Sequence, residues 1–266
     1  MMTTRPTTPA PPSTASLAAT WAAPLLLPLI VVALWAVAAA HLASPLFPGP
    51  GKVLLAAGQH FWTILDQMGA TLRRVLIGFA IAAATMVPLG ILLGRIRLLG
   101  WLFEPVIDML ATLPPPAVVP LVMLFAGTGD AAKVTMIAFA AAIPILMNTF
   151  EASKVRNAMN SLVARSLHLT RWETMLRVDL PAALPMILTG VRMAIAAALL
   201  VSVTSEILLA TDGIGVFLQR QQENFQIAAG LAGILAIALT GLAVNTAILR
   251  IEKGLLFWHY RNDGQS

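Results

Sequence analysis

NSLVARSLHLTRWETMLRVDLPAALPMILTGVRMAIAAALLVSVTSEILLA, residues Asn160–Ala210, contains the transition on which the fold turns. Up to Leu180 the stretch is polar and basic. From Pro181 to Ala210 it is apolar, with Arg192 and Glu206 as the only charges. An apolar run of this length exceeds the roughly 20 residues that cross a bilayer core. Proline is tolerated in the first turn of a helix, so Pro181 fits the entry into a membrane span from a surface loop.

Working outward, five more apolar runs accompany this one: Trp21–Ala43, Leu72–Leu93, Glu104–Phe125 (interrupted by Pro114, Pro115 and Pro116), Ala131–Phe150 with Pro144 inside it, and Ile227–Leu249. The chain of 266 residues is 58% hydrophobic and 11% charged, with a mean hydropathy of +0.84. A soluble domain carries about 25% charged residues. That leaves too little polar surface to cover a globule of this size. In lipid, helices satisfy their own backbone groups. The expectation is an all-α membrane protein of about six transmembrane helices.

The expected organisation is a disordered tail over residues 1–20, a membrane domain over 21–250 with a loop at 151–180, and a polar tail over 251–266. The opening MMTTRPTTPAPPSTAS is rich in Thr, Pro, Ser and Ala and buries nothing. Arg5 before the first run, with Ala38, Ala40 and Ala43 at its end, mimics a secretory signal; the length of the run favours a retained helix. LFPGPGK (Leu46–Lys52) breaks that helix, and Val53–Asp66 reads as an amphipathic connector at the outer interface. Lys and Arg set orientation. With the N-terminus inside, the inner segments hold Arg5, Arg95, Arg97, Lys154, Arg156, Arg165, Arg171, Arg177, Arg250, Lys253 and Arg261. The outer ones hold Lys52, Arg73, Arg74, Lys133 and Arg220. This asymmetry predicts both termini inside.

Cysteine is absent, and His41, His60, His168 and His259 form no pair at metal-ligand spacing, so no metal site is expected. The net charge of +5 belongs to loops; no basic face separates from the apolar runs, so no nucleic-acid partner is expected. PGPGKV (Pro48–Val53) contains Gly-Lys but lacks the first glycine and the Ser/Thr of a phosphate-binding loop.

The polar loop carries more. Thr170–Arg171–Trp172–Glu173 matches the S/T-x-x-E capping box, so Thr170 starts a short helix and Glu173 reaches back to its backbone. Leu162–Leu169 forms another short helix in this reading. Together they present Leu167, Leu169 and Trp172 as an apolar knob on a basic loop. The knob suits docking into a groove of another protein, or packing on the membrane end of its own fold.

The loop resembles the cytoplasmic signature loop of binding-protein-dependent ABC importer permeases. In that family it begins Glu-Ala-Ala, has a Gly four residues beyond the second Ala, and ends Ile-x-Leu-Pro. The ending is similar at Val178–Asp179–Leu180–Pro181. The opening departs: Leu162, Val163 and Ala164 stand where Glu-Ala-Ala is usual, and His168 stands in the Gly position. LFPGPGKVL (Leu46–Leu54), TLRRVLIGFAIAA (Thr71–Ala83), VPLGILLGR (Val87–Arg95), PILMNTFEA (Pro144–Ala152), the Glu206 region and DGIGVFL (Asp212–Leu218) look like the nitrate/sulfonate/taurine branch.

The resemblance implies a type I importer permease in a bacterial inner membrane. It implies a homodimer of permeases, two cytosolic ABC ATPases docked on the loops, and an extracytoplasmic solute-binding protein. It implies ATP held only by the ATPases, and no catalysis and no cofactor in this chain. The coupling residues would be Ala164, Arg165, Leu167, His168, Leu169, Thr170, Trp172 and Glu173. The implied solute is a small anion such as nitrate, a sulfonate or taurine, with a small organic nutrient such as a thiamine precursor as the alternative.

Polar residues at membrane depth are functional candidates. Glu206, beside Ser202, Thr204 and Ser205, either shapes an outer gate or meets water at the interface. Arg192 either lines an anion route or snorkels inward to pair with Asp179 or a lipid phosphate. Pro114–Pro116 cannot continue a regular helix, so Thr112 and the carbonyls around Pro114 either line a cavity or mark a packing kink. Asn148 reads as an interhelical hydrogen bond before a ligand. Gly90-x-x-x-Gly94 allows close helix approach. An ATP-independent transporter needs coupling carboxylates at mid-membrane, where the sequence offers few; an intramembrane metalloprotease needs H-E-x-x-H, which the sequence lacks.

Overall fold

The computed structural model describes residues 14–154, 162, 164, 166–209 and 211–256, with side chains from Leu26 onward except that of Arg171. The described regular elements are all helical. They are α1 (Thr14–Leu42), α2 (Pro50–Gln59), α3 (Phe61–Arg95), α4 (Arg97–Thr112), α5 (Val119–Ala126), α6 (Asp130–Lys154), α7 (Arg171–Thr174), α8 (Leu180–Leu209), α9 (Ile214–Glu223) and α10 (Ile227–Leu255). A 3₁₀ turn, Pro115–Val118, precedes α5, and one π-helical turn, Met175–Asp179, joins α7 to α8.

Among the described residues, four helical stretches are long and apolar enough to cross a membrane: α3, α6, Trp172–Leu209 and α10. The third run of the sequence is a broken span, in which α4 and the Pro115–Ala126 segment are bent by 96°. Leu113 and Pro114 are extended, with ψ of 119° and 122°, as residues before proline must be. The helix then restarts with Pro115 and Pro116 in its first turn, where no amide donor is required. The first run corresponds to α1, whose described apolar part is the shorter stretch Leu26–Leu42.

Some boundaries differ from expectation. The backbone of α1 starts at Thr14, inside the expected tail, and α10 continues to Leu255, beyond the expected end of the membrane domain. The helix containing the second run begins at Phe61, so Arg73 and Arg74 lie on a helix rather than in an outer loop. In α2 the amphipathic pattern holds: Val53 and Ala56 are buried, while Leu54 and Leu55 are exposed.

The core is built around α6, which packs between α3 and α8. Its buried residues Ile137, Ala141 and Ile145 meet Val75 and Ala82 of α3 and Ala194 and Ala198 of α8, while Met136 and Ala140 cluster with Val119 and Val122 of α5 and Val201 and Leu209 of α8. Small residues set the helix separation. A Cβ on Gly78 would fall 2.7 Å from Ile137 Cγ2, one on Gly90 2.7 Å from Thr149 Cβ, and one on Gly94 2.6 Å from Ser153 Cβ. On the other flank, Gly190 of α8 faces Asn148 in the same way. Lipid tails are as apolar as these side chains, so close backbone approach and dispersion hold the helices together. The Gly90/Gly94 spacing is therefore the seam between α3 and α6.

Candidate functional site

Charged side chains gather in two layers. On α3, Arg74 and Arg95 are separated by about 31 Å at 1.5 Å per residue, close to the thickness of a bilayer core. Arg74 belongs to a layer in the first half of α3 and Arg95 to the layer at its end.

The first layer is a buried ionic network. Arg74 is 1% exposed and Glu206 is 0% exposed. Arg74 Nη1 donates to Glu206 Oε1 at 3.0 Å, Nε donates to Asp130 Oδ1 at 2.9 Å, and Nη2 donates to Asp212 Oδ1 at 2.6 Å. Lys133 donates to the same Asp130 oxygen at 3.0 Å. The Glu206 carboxylate also accepts the Thr71 hydroxyl at 2.8 Å and the Gly215 amide at 3.0 Å. Thr71 in turn accepts the Ile214 amide at 3.0 Å, and Gln67 Oε1 accepts the Gly213 amide at 2.6 Å.

Each member comes from a different local cause. Gln67, Thr71 and Arg74 are spaced four and three residues apart, so they share one face of α3. Asp130 opens α6 after the turn at Gly127, whose φ is 71°. Gly213 has φ 111°, and a Cβ there would collide with the Glu206 carboxylate. Asp212–Gly215 thus wraps the end of α8, with the Gly215 amide pointed at Glu206 and the Gly213 and Ile214 amides at Gln67 and Thr71 of α3. This arrangement locks α3, α6, α8 and α9 together at one end of the bundle. Glu206 does not meet water, which removes the interfacial alternative.

The other predicted pathway residues are scattered. The Ser202 hydroxyl donates to Leu199 O at 2.8 Å and that of Thr204 to Leu200 O at 3.1 Å, both within α8. Thr112 is exposed and donates to Met109 O at 2.8 Å, and Pro114 is exposed at the break. Asn148 was expected to bond between helices. Its amide donates both within α6, to Pro144 O at 2.9 Å, and across to α8, to Met193 Sδ at 4.0 Å. Arg192 does not pair with Asp179. Arg192 Nη1 lies 3.9 Å from Glu252 Oε2 of α10, whereas Asp179 Oδ2 accepts Arg95 Nη2 at 2.7 Å. The π turn brings Asp179 to the end of α3, out of reach of a residue more than three turns along α8.

The second layer carries the loop. Lys154 Nζ donates to Glu104 at 2.7 Å and to Glu151 at 3.0 Å, tying α6 to α4. Trp172–Leu209 is 38 residues long. At about 57 Å it is far longer than a bilayer core, so its first turns stand outside the membrane. Here the predicted capping box is present. Thr170 Oγ1 accepts the Glu173 amide at 3.3 Å, and Glu173 Oε2 accepts the Thr170 amide at 3.0 Å. The Thr170 amide, together with the Thr170 hydroxyl that donates to the same Oε2 at 2.8 Å, holds the Glu173 carboxyl below the usual carboxylate range.

Just before it, His168 has φ 51°, a left-handed conformation, and the Leu169 amide donates to Ala164 O at 3.0 Å. That bond, spanning the left-handed residue, is the Schellman ending of a helix, where glycine is the usual occupant. Ala164 is buried beneath it, Leu169 is half-buried, and Leu167 and Trp172 are 63% and 65% exposed. Arg165 and Val163 lie outside the described residues.

Residues 86–256 match the family of binding-protein-dependent transport system inner membrane components. The chain belongs to this family. It is 30% identical over 241 residues to the taurine transport system permease protein of Escherichia coli (strain K12), covering 88% of each chain. It is 33% identical over 190 residues to the nitrate import permease protein of Leptolyngbya laminosa, covering 71% of this chain and 66% of that one. Among solved structures, an inward-facing methionine ABC transporter superposes with a TM-score of 0.64 at 16% identity, over 74% of this chain and 98% of the other. That similarity establishes the type I importer permease fold. The protein is an ABC transporter permease of the inner membrane.

In this permease the family's loop glycine has a physical meaning. The position must be left-handed, and His168 adopts that conformation at a cost. Sequence reasoning found Glu206 and the DGIG segment separately and missed that they form one unit with Thr71, Arg74, Asp130 and Lys133. The available signal was the stripe Gln67, Thr71, Arg74, a polar face leading into an apolar run.

Proposed function

We propose that this chain is one of two identical permease subunits that form the solute pathway of an ATP-driven importer of small anions. Both termini face the cytosol, and the segment from Ala164 to Glu173 docks on cytosolic ATPase subunits. ATP is bound and hydrolysed by those partners; this chain has no catalytic residue and no cofactor. An extracytoplasmic binding protein delivers the solute. Relatives named for taurine and nitrate support the small-anion class, since a sulfonate and nitrate share a compact oxoanion head.

The observation that carries the coupling role is the exposed pair Leu167 and Trp172 on a segment fixed at one end by the left-handed His168 and at the other by the Thr170–Glu173 box. Exposed apolar side chains on a rigid support, beyond the membrane face, are what a partner groove takes up. The segment is clamped to the bundle through Asp179 and Arg95, so displacement of the loop is transmitted to α3 and α8. Reconstituted transport of taurine and nitrate is the test. Uptake should stop when the ATPase sites are inactivated; uptake that continues undiminished would overturn the importer reading.

A further inference from the structure

We infer that the cleft between α8 and α10 is an anion subsite on the solute route, with Arg192 as its cationic anchor; this rests on the small-anion reading above. The cleft is a cavity of about 530 Å³ whose walls include Leu199, Val203, Leu218 and Ile237, with Arg192, Thr204 and Asn245 as its polar members. Gly190 is level with Asn148, so Arg192 sits about 12 Å deeper than the layer of Lys154. A charge at that depth is expensive and calls for a partner.

Its partner is poor. Arg192 makes no hydrogen bond among the described residues, and Glu252 Oε2 stands 3.9 Å from its Nη1, beyond hydrogen-bond reach. Glu252 is buried, and its Oε2 also lacks a hydrogen-bond partner among the described residues. The Arg95–Asp179 and Arg74–Glu206 pairs close to 2.7 Å and 3.0 Å, so the loose Arg192 contact stands apart from these other ion pairs. A planar guanidinium with free N–H groups at the end of a cavity binds an oxoanion through paired hydrogen bonds.

The Asn245 amide makes no side-chain hydrogen bond among the described residues and lines the same cleft, so it supplies a further donor. Glu252 then acts as a resident counter-charge. The arriving anion displaces it from Arg192, and its return drives the anion onward. A transport site requires binding favourable enough to enter and weak enough to leave.

The test uses the full importer in proteoliposomes, reading both taurine and nitrate moved per ATP hydrolysed. Arg192→Gln should lower that ratio by about tenfold or more, the worth of a hydrogen bond to a charged group, while ATP hydrolysis stimulated by the loaded binding protein changes less than about twofold. Arg192→Lys keeps the charge but loses the paired donors, so its ratio should fall between those of the wild type and Arg192→Gln. An unchanged ratio in Arg192→Gln, or a lysine variant as poor as the glutamine variant, overturns the subsite while leaving the importer reading in place. A wild-type complex that moves neither anion but carries a neutral or cationic solute overturns both.

Discussion

Replacing Arg74 with Met tests the buried network most directly. The guanidinium is 1% exposed and is the only cation within hydrogen-bond reach of Glu206 among the described residues. Methionine fills much of the volume and leaves the Glu206 carboxylate buried with two neutral donors, Thr71 and Gly215. Breaking one side of a buried ion pair costs about 3–5 kcal/mol. The bonds to Asp130 and Asp212 add little, since both carboxylates are nearly half exposed and such pairs are worth about 0–1 kcal/mol each.

The decisive comparison is the double variant Arg74→Met with Glu206→Gln. The glutamine amide keeps an acceptor for Gly215 but carries no charge, so the double variant should be more stable than Arg74→Met alone by about 1–3 kcal/mol. Reversible unfolding in mixed micelles, followed by circular dichroism across a denaturant series, measures both differences. If Arg74→Met unfolds within about 1 kcal/mol of the wild type, taken as roughly the error of such values, the network is not a bolt. A double variant weaker than the single one would show that the buried charge is not the cause.

Further outcomes follow from other contacts. Gly94→Val should cost about 1–3 kcal/mol by overpacking, because a Cβ already meets Ser153 Cβ at 2.6 Å and Phe150 O at 2.7 Å; the same unfolding series reads it, with Gly69→Val, where nothing lies within 4 Å, as the control. His168→Gly should relieve about 1–2 kcal/mol of left-handed strain and slow exchange of the Leu169 amide that closes the turn, whereas faster exchange would argue that the imidazole itself holds the turn. Trp172→Ala should weaken co-purification with the ATPase by about thirtyfold or more, as for an interface anchor, while membrane insertion is unchanged; an equal yield of complex would remove Trp172 from the interface.

Much of the protein was determined locally. The apolar runs, the pre-proline bend at Leu113 and Pro114, the Gly90/Gly94 seam and the Thr170–Glu173 cap each depend on neighbours a few residues apart. Backbone sterics, hydropathy and helical periodicity therefore determine them from sequence. The need for a left-handed residue at position 168 was marked by the family's glycine, though the histidine hid it.

What only the tertiary structure decided were the partners of charges far apart in the chain. Arg74, assigned to an outer loop by residue counting, is buried because α3 starts at Phe61 and turns that face onto α6 and α8. Glu206 meets Arg74 across 132 positions of sequence, and Asp179 goes to Arg95 rather than Arg192. A charge in a low-dielectric bundle must find an opposite charge somewhere. Which one it finds is set by helix register and crossing, and these emerge only when the small residues of α3, α6 and α8 come into contact.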